Sequence, residues 1–352
     1  MPNVTPRSQL VTVTRHGLYL PAAGLHLDAR SAPGTVFVSH AHSDHCSYAS
    51  RILCTPETAA LHDARRGRRE AQLLRLDEPA RVGGAEVTLR SAAHTLGAAM
   101  IVAASADGVA AYTGDYKLRG NPFTPPAAVP RCDTLVMECT FGEPRYVFPP
   151  DEELVGRLVR FCEEALADDA TPVVLAYALG KGQEALWHLT RHGFDVMLHG
   201  AIANMCVLHE RLGHGFPGPG AWTRYRRGEI GGRVLLTTPG TRKTPMVQKL
   251  PRKRIVHLTG WALHPGAWNI YKGCDLVLPL SDHADFPELV RTARESGATK
   301  VYTTHGPPGF ARHLRSLGID AEHLAEHPND AGEACADEEA PEGPEGQMGL
   351  RL

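Results

Sequence analysis

Apolar residues fall mostly in short runs closed by a glycine, a proline or a polar tip, the pattern of strands joined by turns. Leu10 to Asp28 alternates apolar and polar positions and breaks at Gly17 and at Pro21-Ala22-Ala23-Gly24. That predicts short antiparallel strands. Further strands are expected at Val36-Phe37-Val38, Ile52-Leu53-Cys54, Glu86 to Arg90, Val109 to Tyr112 and Thr134 to Met137. Thr55-Pro56-Glu57 carries helix-start chemistry, so a helix should run from there through Leu61 toward Arg65-Arg66-Gly67-Arg68-Arg69. Those arginines suit either phosphate contact or a solvated surface. Beyond Glu138 the period changes: Leu154, Leu158, Phe161, Cys162 and Ala165 recur at helical spacing. Strands and helices then alternate to about Gly266, and strands return at Asp275 to Leu280 and Lys300 to Thr304.

The tips of these runs carry the chemistry. Val36-Phe37-Val38 opens into Ser39-His40-Ala41-His42-Ser43-Asp44-His45. Imidazole and carboxylate are ligand types that suit a divalent transition metal, zinc especially. On an extended strand end His40 and His42 project to one side and can grip one ion. Asp44 and His45 follow as the chain turns, placed for a second ion. Other runs end on Asp28, His94, Gly114-Asp115, Glu138, Ser281-Asp282-His283 and His305.

The pattern His-x-His-x-Asp-His resembles the signature of the metallo-β-lactamase fold, a superfamily of metal-dependent hydrolases. The resemblance implies three further ligands at strand ends, and His94, Asp115 and His305 meet those demands. It assigns His40, His42 and His94 to one divalent ion and Asp44, His45 and His305 to the other. Asp115 stands between them, since a carboxylate can bridge two cations and a neutral imidazole cannot. Zn2+ is the expected metal and Mn2+ the alternative. Asp28 matches the family's aspartate that supports the histidine loop; an aspartate at a strand end is equally an ordinary turn residue.

About 145 residues separate Glu138 from His283, far too many for a loop. Glu138, His283 and His305 match in order the three extra motifs of the β-CASP nuclease subgroup, which this chain resembles up to residue 324. Within it the likeness is strongest to the bacterial ligase-associated DNA exonucleases. That likeness is carried by Gly17-Leu18-Tyr19-Leu20-Pro21, Thr55-Pro56-Glu57-Thr58-Ala59, Gly260-Trp261-Ala262 and Leu280 to Phe286. The implied fold is α/β: an αββα sandwich (1–148 and 268–324) with an inserted β-CASP α/β cap domain (149–267). An acidic tail, 325–352, rich in Pro and Gly, is expected to be disordered.

The resemblance implies a two-metal hydrolase of DNA phosphodiesters. Asp44, Asp115, Glu138 and His283 would be its catalytic groups, with His283 oriented by Glu138. The expected partners are DNA with single strands or free ends, and a DNA ligase or other repair proteins. Alternatives of other classes are an RNA-processing nuclease, a small-molecule metallo-hydrolase, and a nucleic-acid-binding subunit with a silent metal site.

Charge sharpens the picture. The net charge of −2 conceals ten basic residues against one acid, Glu229, between Trp222 and Arg254, and ten acids against Arg351 from Asp320 onward. The basic block suits a polyanion or is simply a solvated face. Its candidate nucleic-acid contacts are Arg224, Arg226, Arg227, Arg242 and Lys243. Lys181 joins them because Gly180 and Gly182 flank it at a helix start, leaving N–H groups for an anion. Eight cysteines without a Cys-x-x-Cys pair read as buried thiols. No run approaches a membrane span and the first ten residues lack a secretory layout, so a cytoplasmic location is the expectation.

Overall fold

A computed structural model describes residues 10–218, 220 and 222–324. The alternating first stretch forms β1 (Thr12–Thr14), β2 (Gly17–Leu20) and β3 (Leu25–Leu27), an antiparallel meander. The strands β4 (Thr35–Phe37), β5 (Arg51–Cys54) and β6 (Glu70–Leu73) extend it in parallel. Helix α1 (Pro56–Arg66) bridges β5 and β6, and its start is as the sequence suggests. The Thr55 hydroxyl accepts the Thr58 N–H at 3.1 Å, Pro56 needs no partner in the first turn, and Glu57 faces the positive end.

A second sheet follows from β7 (Ala80–Val82), β8 (Ala85–Ser91), β9 (Ala99–Ser105) and β10 (Gly108–Tyr112), all antiparallel, with β11 (Thr134–Glu138) parallel to β10. The chain then leaves for a separate sheet. In order it forms α2 (Asp151–Ala167), β12 (Thr171–Leu175), α3 (Lys181–Arg191), β13 (Val196–Leu198), α4 (Gly200–Arg211) and β14 (Trp222–Arg224). There follow β15 (Val234–Thr237), α5 (Pro245–Gln248), β16 (Lys253–Leu258), α6 (Ala267–Ile270) and β17 (Leu276–Leu278). Those six strands are all parallel, in the order β14-β13-β15-β12-β16-β17. After α7 (Phe286–Glu295) the strand β18 (Lys300–Thr304), helix α8 (Gly309–Ser316) and strand β19 (Ala321–His323) return to the second sheet. There β18 lies beside β11.

Packing follows from which side chains each strand turns inward. Leu25, Leu27, Phe37 and Leu53 of the first sheet meet Val87, Leu89, Ile101, Tyr112 and Val136 of the second in one shared core. Val36, Val38, Ile52 and Cys54 face the other way, onto Ala59 of α1. Met100, Leu135, Met137 and Val301 lie on the far side of the second sheet under Leu289 of α7 and Phe310 and Leu314 of α8. The layers are therefore helix, sheet, sheet, helix. In the third sheet Val174, Leu198, Leu236 and Val256 pack under α2, α3 and α4, while Val173, Met197, Leu235 and Ile255 pack beside Val247 and Leu250. Burial on both faces explains why these strands read as continuous apolar runs.

Asp275 to Leu280 reads in sequence as a return to the first unit, yet β17 pairs with β16 and carries the third sheet past residue 267, to Leu278. A strand so short declares its neighbour only through the fold. The acidic stretch 325–352 lies outside the described residues. Among the described residues no disulfide forms; six cysteines are buried and Cys274 is half-buried. Among them, too, no helix is long and apolar enough to cross a membrane.

Phe37 is fully buried between the two sheets and meets the Tyr112 ring edge-on at 6.4 Å. Phe37→Ala should lower unfolding free energy by about 3–5 kcal/mol. Urea denaturation should show this as a lower midpoint with an unchanged slope.

Candidate metal centre

Every candidate ligand sits at or just beyond the carboxyl end of a strand. The extension of β4 continues as far as Val38, whose N–H still donates to Leu53 O at 2.9 Å, and then delivers Ser39 to His45. His94 follows β8, Asp115 follows β10, Glu138 ends β11, His283 follows β17 and His305 follows β18. The Gly114 backbone lies at φ +54°, and an added Cβ would stand 2.5 Å from Ser39, so only glycine lets Asp115 approach the histidine loop.

Asp28 organises that loop. Its Oδ1 accepts the Ser39 N–H at 2.7 Å. Its Oδ2 accepts from Ser39 Oγ at 2.6 Å, Tyr112 Oη at 2.8 Å and His45 Nδ1 at 2.8 Å. With its hydroxyl proton committed to Asp28, Ser39 Oγ must accept from His40 Nδ1 at 2.9 Å. His94 Nδ1 lies 2.8 Å from the Asp282 carbonyl and His42 Nε2 lies 3.2 Å from the Leu179 carbonyl. A carbonyl only accepts, so both nitrogens carry protons.

In the neutral forms of His40, His42 and His94 the opposite ring nitrogens are then bare lone pairs, and they converge. His42 Nδ1 is 3.1 Å from both His40 Nε2 and His94 Nε2. Asp115 Oδ2 lies 3.5 Å from His40 Nε2, 3.4 Å from His45 Nε2 and 3.9 Å from His94 Nε2. Acceptors gathered without a proton among them repel one another, and a cation turns that repulsion into coordination. The ligand atoms of His40, His42, His94 and Asp115 all lie within 4.8 Å of one another. Across Asp115, His45 Nε2 faces Asp44 Oδ2 at 3.7 Å, and the His305 ring stands 5.2 Å from that of His45. His40, His42, His94 and Asp115 are thus brought together as a donor set that fits a divalent metal, and Asp44, His45 and His305 stand beside them.

Electrostatics support the same conclusion. Burial, reinforced by His45 and His94, holds the His40 pKa well below its ordinary value, and burial lowers that of His94 to about 3. Both rings are neutral and available as ligands. Burial also opposes charge on His45, but Asp115, Asp44 and Asp28 outweigh it and raise that pKa well above the ordinary value. The carboxylate field that attracts a proton there equally attracts a cation. Burial likewise opposes ionisation of Asp115; His45 and His283 outweigh it and hold the carboxyl well below the usual range.

Beside this cluster stands a second pair. Glu138 is buried, accepting the Tyr116 N–H at 2.8 Å and the Thr140 hydroxyl at 2.6 Å. Its two oxygens hold His283 Nδ1 at 3.1 and 3.0 Å. Burial works against the charged imidazole, but Glu138 prevails and lifts the His283 pKa to about 9. The His283 ring lies 4.8 Å from that of His94.

Sequence reasoning did not find the groups joining this site to the third sheet. Lys117 is fully buried and lies 3.3 Å from Glu184 of α3. Asp282 is buried and pairs with Lys181 at 2.8 Å. These partners are distant in sequence, so no local pattern marks them. The Lys181 ammonium is therefore engaged and only 3% exposed. The Gly180 N–H is taken by Gln183 Oε1 at 2.9 Å, and Gln183 and Glu184 N–H both donate to the Gly180 carbonyl. The anion-binding helix start expected at Lys181 is thus already filled from within the protein. Of the other basic candidates, Arg224, Arg226, Arg227 and Lys243 are exposed. Arg242 is half-buried and donates to the Lys272 carbonyl at 2.9 Å.

No family model matches the chain. A probable DNA ligase of Opitutus terrae is 38% identical over 315 residues, which cover 88% of this chain and 31% of that protein. Transcription termination factor FttA of Methanococcus maripaludis is 29% identical over 135 residues, 35% of this chain and 21% of the factor. DNA cross-link repair protein SNM1 of Arabidopsis thaliana is 28% identical over 157 residues, 41% of this chain and 32% of its own length. The chain therefore spans about a third or less of each relative. A crystal structure of an Enterococcus faecalis protein of unknown function shares the fold, with TM-score 0.58 and 17% identity over 83% of this chain and 79% of that one.

Asp28 holds His45 directly and His40 through the Ser39 hydroxyl, so Asp28→Ala should weaken divalent-metal affinity about 10- to 100-fold. Competition with a chromophoric chelator measures this, and an unchanged affinity would mean the loop holds its shape without Asp28.

Proposed function

We propose that the chain is a divalent-metal-dependent phosphodiesterase of the metallo-β-lactamase fold and β-CASP nuclease subgroup, acting on DNA as an exonuclease beside a DNA ligase. The hydrolase reading rests on one observation: histidine lone pairs and the Asp115 carboxylate converging at the edge of a helix–sheet–sheet–helix arrangement. The inserted parallel sheet, which we take as a unit from Asp151 to Leu278, supports the subgroup. DNA as substrate is supported by the relatives named for DNA ligation and DNA cross-link repair. Most of the ligase relative lies outside the matched segment, which suits a chain that works next to a ligase activity.

Zn2+ or Mn2+, held by His40, His42 and His94 on one side and Asp44, His45 and His305 on the other with Asp115 between, would supply Lewis-acid polarisation and a nucleophile at neutral pH. The protein does the rest. Hydrolysis breaks one P–O bond and leaves a proton to be placed on the departing oxygen. Glu138 occupies His283 Nδ1, so the proton on Nε2 is the one free to be given, and His283 is the general acid or the donor that steadies the phosphate. Arg224, Arg226, Arg227 and Lys243 are the candidates to follow the strand's phosphates. A second reading, a nuclease acting on RNA, draws on the relative named a transcription termination factor.

Digestion of 5′- and 3′-labelled DNA and RNA strands, with each metal and with chelator, tests the proposal. DNA should be shortened from an end and chelator should abolish the reaction. Asp115→Ala should lose metal and activity together. His283→Ala should retain metal while turnover falls about 10²- to 10⁴-fold. Metal lost along with activity in His283→Ala would make His283 a ligand and overturn its role.

A further inference from the structure

The segment after β16, Thr259-Gly260-Trp261-Ala262-Leu263, serves neither the metal centre nor the ion pairs beside it. Thr259 Oγ1 accepts the Trp261 N–H at 3.3 Å and starts one turn of 3₁₀ helix. Gly260 is pressed so closely on Phe141 Cζ that any side chain there would collide. This approach sets Trp261 onto the cluster of Phe141, Tyr146 and Phe148. The Trp261 ring lies 4.8 Å from Phe141, tilted by 54°, and 5.6 Å from Tyr146, edge-on at 89°. Phe141 in turn meets the His283 ring at 6.0 Å. Trp261 nonetheless stays 39% exposed. A tryptophan that only filled a core would be covered; this one is held from behind and open in front, one ring removed from His283.

We propose that Trp261 is a stacking platform for an unpaired nucleobase of the strand whose phosphodiester lies at His283. The inference rests on the nuclease reading and adds to it a substrate feature, a base outside the duplex. Every base has a π-face, so such a platform binds single strands without reading their sequence. A base still paired and stacked in a duplex must first be unstacked, which costs a few kcal/mol and disfavours a blunt end. The Phe141 and Tyr146 contacts fix the indole beforehand, so little freedom is lost when a base arrives.

Binding of non-hydrolysable phosphorothioate strands to the metal-loaded protein tests this, comparing short oligodeoxythymidylate with an abasic strand of equal length and charge. Trp261→Ala should bind the base-bearing strand about 10-fold or more weakly and the abasic strand unchanged. Trp261→Phe should restore most of the loss. Trp268, 79% exposed and outside the aromatic cluster, is the control, and Trp268→Ala should change neither. The proposal is overturned if Trp261→Ala binds both strands like the wild type or loses both equally. It is also overturned if Trp268→Ala reproduces its effect, or if the wild type binds the two strands alike. Wild-type protein that neither binds nor cleaves labelled DNA would remove the nuclease reading and this one together. Normal cleavage with no Trp261 effect removes only the platform.

Discussion

One carboxylate fixes the arrangement on which the rest depends. Asp28 accepts four hydrogen bonds, and they differ in what they restrain. The bond from Ser39 N–H fixes the backbone where the histidine loop begins. The bond from Ser39 Oγ dictates, through that hydroxyl's remaining lone pair, which nitrogen of His40 is protonated. The bond from His45 does the same for a ligand on the other side of Asp115. The bond from Tyr112 ties the loop of the first sheet to β10 of the second. A single group thereby sets tautomer, loop path and sheet-to-sheet placement, and fully satisfied buried networks of this kind rigidify their surroundings.

The candidate metal centre is a property of converging strand ends rather than of any one segment. Its ligands come from loops after β4, β8, β10 and β18, and its neighbours Glu138 and His283 from β11 and the loop after β17. Packing two sheets face to face brings the first four ends together; the third sheet adds the last loop along its own carboxyl edge. Holding such ends close requires unusual backbone. Of the five non-glycine residues at positive φ among the described residues, Asp28 at 44°, Ala93 at 54° and His305 at 47° are ligands, supports or immediate neighbours of ligands. Left-handed conformations at such residues cost about 1–3 kcal/mol each and persist where surrounding structure over-determines them. Here the surrounding structure includes the hydrogen bonds that Ser39, Tyr112 and His45 give to Asp28.

The parts legible in sequence were those with a local signature. Thr55-Pro56-Glu57 announces α1, and alternation or apolar runs announce most strands, because capping and burial act on neighbours along the chain. Ligand candidates were legible for the same reason: each is a histidine or acid just beyond the tip of an apolar run. What stayed hidden was long-range. Lys117 and Glu184 are 67 positions apart and Lys181 and Asp282 are 101 apart, so neither pair leaves a local trace. Gly180-Lys181 misled because its local chemistry is that of an anion site, while Gln183 folds back to close it. The basic block could be counted but not sorted; the fold exposes Arg224, Arg226, Arg227 and Lys243 and turns Arg242 inward.

The two buried pairs show how the third sheet is registered on the site. Both engage the first turn of α3, but with opposite polarity: Lys181 meets Asp282, and Glu184 meets Lys117. They are unequal. Burial opposes ionisation of Asp282, yet Lys181 at 2.8 Å, aided by His94 and His283, overrides it and keeps the carboxyl below its ordinary pKa. At 3.3 Å the Lys117 attraction fails to overcome the burial of Glu184, whose pKa stays raised. Buried ion pairs are weak evidence for stability, since well-packed apolar residues often do as well. Removing one partner is different, because it strands an uncompensated charge at a cost of about 3–5 kcal/mol. A displaced α3 would strand several charges at once, so only one seating of the sheet is tolerated. That seating fixes Asp282, whose carbonyl orients His94 and whose neighbour is His283. The third sheet therefore helps to set the geometry of the candidate metal centre as well as to flank it.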